Sequence, residues 1–226
     1  MPIYVNHKTL DELLQRSDAL DEAVMGLLDP ETYQTYDASK RISASFAAST
    51  VSLEHARGLR LLILAGLPAS AISLMRLQYE ALTRSVWLLY AAPDGAVEKL
   101  QSPLTTAAEK AANRVPSIGK MVYAIDGKAP PSATQMLTQF KDVTADALNS
   151  FVHSGIHPLR RQRDGYPLAL LSQVVRSSNG LLTMSGMMLA NLSGNTNLAK
   201  RMGRVQSAFI DCLPDLLTDA QSTTPS

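Results

Sequence analysis

Apolar residues recur along this chain at intervals of three and four positions, a spacing that places them on one face of an α-helix. No segment shows the alternation of apolar and polar residues that is typical of a half-buried strand. Glycine and proline divide the pattern into long segments. These predict main helices at about residues 10–28, 30–65, 68–92, 132–152, 168–192 and 197–213. The fold class that this pattern predicts is all-α.

The connections between these segments predict an antiparallel helical bundle. Only Gly66-Leu67-Pro68 separates the second and third segments, so they should form a hairpin. Prolines and glycines in residues 94–131 predict a less regular insertion of short helices and loops. The string RRQRDGYP that ends at Pro167 predicts a polar loop. We expect a single helical domain over residues 1–226, with core helices at about 10–92 and 132–213 and a frayed tail at 214–226.

Composition excludes several classes of protein. The 226 residues suit one large domain, and a formal net charge of +1 lacks the basic excess that is typical of nucleic-acid binding proteins. The single Cys212 excludes an intramolecular disulfide and a multi-cysteine zinc site, and it favours a reducing compartment. The N-terminus lacks a signal pattern, and Gly66 and Pro68 interrupt the longest apolar run. We therefore expect a cytoplasmic protein that makes no use of a membrane.

The predicted helix 68–92 is apolar on nearly all faces, yet it carries three charged residues. Arg76, Glu80 and Arg84 are four residues apart, which places them along one stripe. A buried charge is costly unless it is paired and hydrogen-bonded. The stripe is therefore either a structural ladder of ion pairs or one wall of a functional cleft, and the spacing alone does not choose between them.

A second group of charged residues lies near the end of the preceding predicted helix. His55 could approach Glu80 or Arg84 across the hairpin, or it could be an ordinary half-buried histidine. For Arg57 and Arg60 we favour the simpler interpretation, in which they belong to the solvated face of an amphipathic helix.

The segment NSFVHSGIHPLRRQR, residues 149–163, combines groups suited to phosphodiester chemistry. His153 and His157 titrate near neutrality and can act as general acid or base, while Arg160 and Arg161 can bind phosphate. Together with Asn149 they predict a metal-independent site for RNA cleavage. The alternative is that the basic residues only complement the negative end of a helix dipole.

The sequence predicts no metal site and no cofactor. His153 and His157 have the spacing of two ligands on one helical face, but Ser154 stands where a zinc protease has glutamate. Phosphate-binding and dinucleotide-binding glycine motifs are absent. The helically spaced Met184, Met187 and Met188 are better explained as core or as an oligomer seam than as a cofactor site.

Two blocks, LMRLQYEALTRSVWLLYAA and NSFVHSGIHPLRR, resemble a group of uncharacterised bacterial proteins. The resemblance covers about residues 52–161. It rests on a recurring pattern of positions, which in this chain are His55, Arg76, Glu80, Arg84, Trp87, Leu88, His153, Gly155, Arg160 and Arg161.

More distantly, the chain resembles the HEPN superfamily of helical bundles. That resemblance implies a metal-independent ribonuclease of a toxin or antiviral defence type that acts as a homodimer. HEPN enzymes carry arginine shortly before histidine on one helix. Here KDVTADALNSF precedes His153 without an arginine at that spacing, so Arg76 or Arg160 would have to supply the cation.

We therefore carry two hypotheses. In the first, the chain is a HEPN-like ribonuclease that needs no cofactor and binds RNA. Its catalytic residues are His153, Arg76, Glu80 and Arg84, and its substrate-binding residues are His55, Asn149, His157, Arg160 and Arg161. In the second, the same fold is a non-catalytic binding or assembly module with a structural polar cluster. A functional cleft, whether catalytic or binding, predicts that Arg76, Glu80 and His153 line one concavity, whereas a structural polar cluster predicts that they are dispersed.

Overall fold

A computed structural model describes residues 7–112 and 115–215, and within them the chain forms helices and no strand. The described helices are α1 (His7–Leu27), α2 (Lys40–Leu64), α3 (Pro68–Tyr90), α4 (Asp94–Leu100), α5 (Thr106–Ala112), α6 (Ile118–Ile125), α7 (Pro131–Val152), α8 (Ile156–Asp164), α9 (Leu168–Leu192) and α10 (Thr196–Ala208), and a short 3₁₀ helix spans Ile210–Cys212. The predicted all-α class is confirmed.

Helices α2 and α3 form the predicted hairpin, and they pack together more extensively than any other pair of described helices. Gly66 ends α2 with φ of +70°, a backbone conformation that glycine adopts without strain, and Pro68 begins α3. α3 lies at the centre of the bundle, where it contacts α2, α6, α7 and α9. Its buried Tyr79 and Trp87 are among the largest fully buried side chains. The apolar character of this helix on nearly all faces thus corresponds to extensive burial.

Small hydroxyl side chains hold α2 and α3 close together. Ser45 and Ser49 of α2 both meet Ser85 of α3, and the Ser49 and Ser85 hydroxyls are 2.7 Å apart. Serine brings the helix backbones near each other because its side chain is short, and each hydroxyl finds an oxygen partner in the dry interface. The packing of the hairpin therefore depends on a polar seam inside an otherwise apolar core.

The predicted start of the second helix at Pro30 is wrong. Helix α2 begins at Lys40, after Ser39, whose side-chain oxygen accepts the Ile42 N–H. The preceding stretch folds back on α9 instead, where the Tyr33 hydroxyl donates to the Leu189 carbonyl and the Tyr36 N–H donates to the Leu192 carbonyl. These contacts to a distant helix override the local preference of proline for a helical first turn.

Two further boundaries differ from the prediction. The expected polar loop after Arg160 is helical, because α8 runs to Asp164 before Gly165 turns the chain. The last helix ends at Ala208 rather than near Leu213. The Arg176 guanidinium donates to the carbonyls of Asp211 and Leu213, which suits an irregular segment with free carbonyls. Most of the predicted frayed tail, residues 216–226, lies outside the described residues.

Helices long and apolar enough to cross a membrane do not occur in the part of the chain that the structure describes.

Candidate functional site

Arg76, Glu80 and Arg84 line one cleft, as their spacing along α3 allows. The opposite wall comes from Leu100 at the end of α4 and from residues 115–119, which lead into α6. We call this concavity the α3–α6 cleft. Its volume of about 610 Å³ lies within the usual range for small-molecule sites. The stripe thus faces an open cleft, which was one of the two possibilities that the sequence left.

Within the cleft the charges are only partly neutralised. Arg76 Nε lies 2.8 Å from Glu80 Oε1, and the two side chains are 15% and 28% exposed. The Arg76 guanidinium also sits 5.9 Å from the centre of the Tyr79 ring. Arg84 is one turn further along α3, and its Nε is buried without a hydrogen-bond partner. The wall from α3 therefore presents two cations and one carboxylate.

The N-terminus of α6 adds donors to the opposite wall. Ser117 is the N-cap residue of α6, but its side chain caps no backbone N–H, and the first turn of α6 contains no acidic residue. The first N–H groups of a helix have no partner within the helix, and they carry the positive end of its dipole. Ile118 and Gly119 are both lining residues. The cations of α3 and the start of α6 thus line one space, an arrangement that suits an anion.

His153 is not among the residues that line this cleft. α7 meets α3 at Tyr79, whose ring stacks on Phe140 with centroids 4.7 Å apart. Phe140 lies thirteen residues before His153, which corresponds to about 20 Å along a helix axis. The structure therefore does not bring His153 together with Arg76 and Glu80 in one concavity, although the sequence analysis predicts that it should.

His153 lies instead at an exposed corner between α7 and α8, where it is the C-cap residue of α7. Ser154 follows with φ of +52°, a left-handed conformation that turns the chain sharply. At Gly155 a Cβ would lie only 2.7 Å from the Ser150 hydroxyl oxygen. That hydroxyl accepts the His157 N–H, and the His157 ring stacks on Phe151. The corner is thus a tight, hydrogen-bonded turn that keeps both histidines at the surface.

The remaining predicted binding residues surround this α7–α8 corner. Asn149 and Arg160 are exposed, and Arg161 is half-buried. The Arg161 charge counteracts the burial that raises the pKa of Tyr166. α8 has no buried residue, and it packs chiefly against α7. The corner is therefore an exposed basic surface, which can contact phosphates.

His55 lies neither in the α3–α6 cleft nor at the α7–α8 corner. It is half-buried on α2 and is absent from the lining of the α3–α6 cleft. Burial lowers its pKa below the ordinary value of 6.5, and the nearby Glu54 carboxylate opposes that shift. This environment is that of an ordinary partly buried histidine.

The interpretation of Arg60 as a solvated residue is wrong. Arg60 is 3% exposed, and its guanidinium binds Asp18 and Asp21 of α1 at 2.9 and 2.7 Å. Arg57, which is more exposed, shares the Asp21 carboxylate, and this hydrogen bond raises the pKa of Arg57. The sequence did not indicate this cluster because its acidic half lies on another helix, about 40 residues away.

Sequence reasoning also missed a second concavity, a groove of about 450 Å³ between α7 and α9. Phe140, Val143 and Met184 give it a mainly apolar lining. Met184 thus lines a surface groove, while Met188 on the same helix is buried in the core. The sequence offers no local signal for this groove, because the exposure of Val143 on α7 is apparent only in the structure.

The family of the chain is uncharacterised. A family model described as a family of unknown function, DUF6988, matches residues 49–215. The chain belongs to this family. Neither a curated protein nor a solved structure matches the chain significantly.

The matched range contains the whole α3–α6 cleft and the α7–α8 corner. It excludes α1, so the aspartate partners of Arg60 lie outside it. Groups of three or more His, Cys, Asp or Glu side chains that could hold a metal ion were not found among the described residues.

Proposed function

We propose that this DUF6988 chain is a binding module for a phosphate-bearing ligand, which it takes up in the α3–α6 cleft. One observation carries the proposal: Arg84 lines an open cleft, and the salt bridges of the described residues do not include it. A half-buried charge without a counterion is costly, and an anion in the cleft would neutralise it. A phosphate oxygen accepts such charge-assisted hydrogen bonds readily.

The surroundings of Arg84 support the same ligand. The lining carries two arginines against one glutamate, so its net charge is positive. The start of α6 lines the opposite wall, and helix N-termini bind phosphate through N–H groups that have no partner within the helix. Neither wall by itself would make a site, but the two together offer donors from opposite sides.

A glycine substitution tests this proposal with little risk to the fold. A Cβ at Gly119 meets nothing within 4 Å, so Gly119→Asp should fold and place a carboxylate at the anion site. Gly95 is the second residue of α4, as Gly119 is of α6, and a Cβ there is equally free. Gly95→Asp is therefore a control with the same charge change at the same helix position.

The measurement is a titration with inorganic phosphate, followed by NMR at the Gly119 N–H and the Arg84 Nε–H. We expect wild type, Gly119→Ala and Gly95→Asp to bind, and Gly119→Asp and Arg84→Gln to bind at least about tenfold more weakly. Equal binding by Arg84→Gln, or no saturation of wild type by about 10 mM phosphate, would overturn the proposal.

We propose ribonuclease activity as a second candidate, carried by the exposed His153 beside the basic helix α8. The resemblance to HEPN proteins supports it and suggests a bacterial toxin or defence role. His153 would act as general acid or base, and Arg160 would contact phosphate. We expect RNA cleavage in excess EDTA that falls by about two to four orders of magnitude in His153→Ala. Equal cleavage by both proteins would reject this candidate.

On the same resemblance we propose a homodimer, and the single Cys212 supports a place in the reducing cytoplasm. Leu61, Leu64 and Leu67 near the tip of the α2–α3 hairpin are 66%, 58% and 51% exposed, and they offer an apolar contact surface. A monomer mass in solution at micromolar concentration would contradict the dimer.

A further inference from the structure

The α3–α6 cleft is larger and chemically more varied than a bare phosphate requires. Its volume of about 610 Å³ suits a ligand of drug-like size. Besides the cations and the start of α6, its lining includes the apolar side chains of Leu100, Val115, Pro116 and Ile118. An inorganic anion would leave that apolar surface uncovered. The ligand should therefore carry a further group beside its phosphate.

Glu80 indicates that the further group of the ligand donates hydrogen bonds. A carboxylate next to an anion site repels the anion, so a site for bare phosphate gains nothing from it. Glu80 meets Arg76 through Oε1, while a carboxylate has about four lone-pair sites to offer. The side chain remains 28% exposed in the cleft. It is thus placed to accept hydrogen bonds from a ligand that supplies hydroxyl or amino donors.

We propose that the ligand of the cleft is a phosphate monoester that also carries hydroxyl or amino donors, as a nucleoside monophosphate does. This inference rests on the proposed function and adds the substrate class. Arg84 and the α6 N-terminus hold the phosphate, the apolar wall covers the ring system, and Glu80 is the specificity-determining residue that accepts the donors. Glu80 thereby selects the ester over free phosphate.

Glu80→Gln tests this role because it keeps the size of the side chain but removes the charge. Loss of the charge relieves repulsion of any phosphate group, so binding of inorganic phosphate should tighten, by about threefold. Adenosine 5′-monophosphate gains from the same loss of repulsion. Its hydroxyl and amino groups, however, also lose the charged oxygen of Glu80 that accepts their hydrogen bonds. The ratio of the two dissociation constants cancels the shared effect.

The experiment measures binding of inorganic phosphate and of adenosine 5′-monophosphate to wild type, Glu80→Gln and Glu98→Gln. Glu98 is an exposed residue of α4 outside the lining, so its variant controls for net charge. We expect wild type and Glu98→Gln to prefer the nucleotide. In Glu80→Gln the preference should fall by about tenfold, as expected for loss of a charged acceptor.

Each outcome decides between the two proposals. If wild type binds phosphate without preferring the nucleotide, or if Glu80→Gln keeps the full preference, the assignment of Glu80 is overturned while the anion site stands. If wild type binds neither probe, the proposed function itself fails. Tighter phosphate binding by Glu80→Gln shows at the same time that the variant is folded.

Discussion

Two arginine clusters of this protein differ in how their charges are matched. In the structural cluster, Arg57 and Arg60 of α2 meet Asp18 and Asp21 of α1, so two cations face two carboxylates. In the α3–α6 cleft, Arg76 and Arg84 meet a single carboxylate among the lining residues, that of Glu80. The first cluster joins two helices, whereas the second faces an open space.

An unpaired buried atom does not by itself distinguish the clusters. Arg60 Nη1 is buried without a partner, as Arg84 Nε is. Arg60, however, is enclosed between two aspartates, and neither of the two concavities described above includes it. Arg84 borders a cleft that a ligand can enter. An arginine without a carboxylate partner therefore points to a ligand only where it borders open space.

The largest expected effect tests the structural cluster. Asp21 is 8% exposed and pairs with both Arg57 and Arg60. Asp21→Ala should lower the free energy of unfolding by about 2–4 kcal/mol, because it removes the buried carboxylate that Arg57 and Arg60 share and leaves the buried Arg60 only the more exposed Asp18. Urea denaturation measures this change, and Glu22→Ala, which removes the exposed neighbouring carboxylate, should change stability by less than about 0.5 kcal/mol. Similar losses in both variants would contradict a structural role specific to Asp21.

A smaller effect is expected in the cleft. Glu80→Ala should cost about 1 kcal/mol or less, because the Arg76–Glu80 pair is partly exposed and spans one helical turn. A double-mutant cycle with Arg76→Ala should show a coupling of about 0.3–0.5 kcal/mol. A loss comparable to that of Asp21→Ala would mean that the stripe on α3 is a structural ladder, and the contrast between the clusters would break down.

The smallest effect concerns His55, which belongs to neither cluster. Since burial holds its folded pKa below 6.5, both states are neutral above that pH and the histidine contributes nothing. As the pH falls below 6.5, the unfolded chain binds the proton first, so stability declines until the folded pKa is reached. Urea unfolding at about pH 7.5 and 5.5 should show a shallower pH dependence for His55→Gln than for wild type.

Glu54 provides the matched variant for this titration. Its carboxylate raises the pKa of His55, so Glu54→Gln should extend the loss of stability to lower pH. A pH dependence that neither substitution alters would show that other groups control the acid response.

Much of the fold could be predicted, because its signals are local. The predicted helix 168–192 agrees with α9, and the hairpin follows from the Gly66–Pro68 turn. The start of α2 could not be predicted in the same way, since its preceding segment is held by Leu189 and Leu192 of α9. Such contacts join residues more than 150 positions apart, and no local pattern encodes them.

Only half of the candidate site could be predicted, for the same reason. The stripe of Arg76, Glu80 and Arg84 follows from a spacing of four residues on one helix. Its opposite wall at residues 115–119 comes from the irregular insertion, where the sequence has no strong periodicity. The expected convergence with His153 rested on chemical similarity, and the path of α7 carries that residue away from the cleft.

The sequence by itself determined which segments are helical and which charged residues share a helix face, because both depend on intervals of three and four residues. Tertiary structure decided which of these charges are neutralised. Helix α1 brings aspartates to Arg60, whereas the described lining of the α3–α6 cleft opposite Arg84 contains no carboxylate. Charge matching depends on the partner helix, and the packing of whole helices selects that partner.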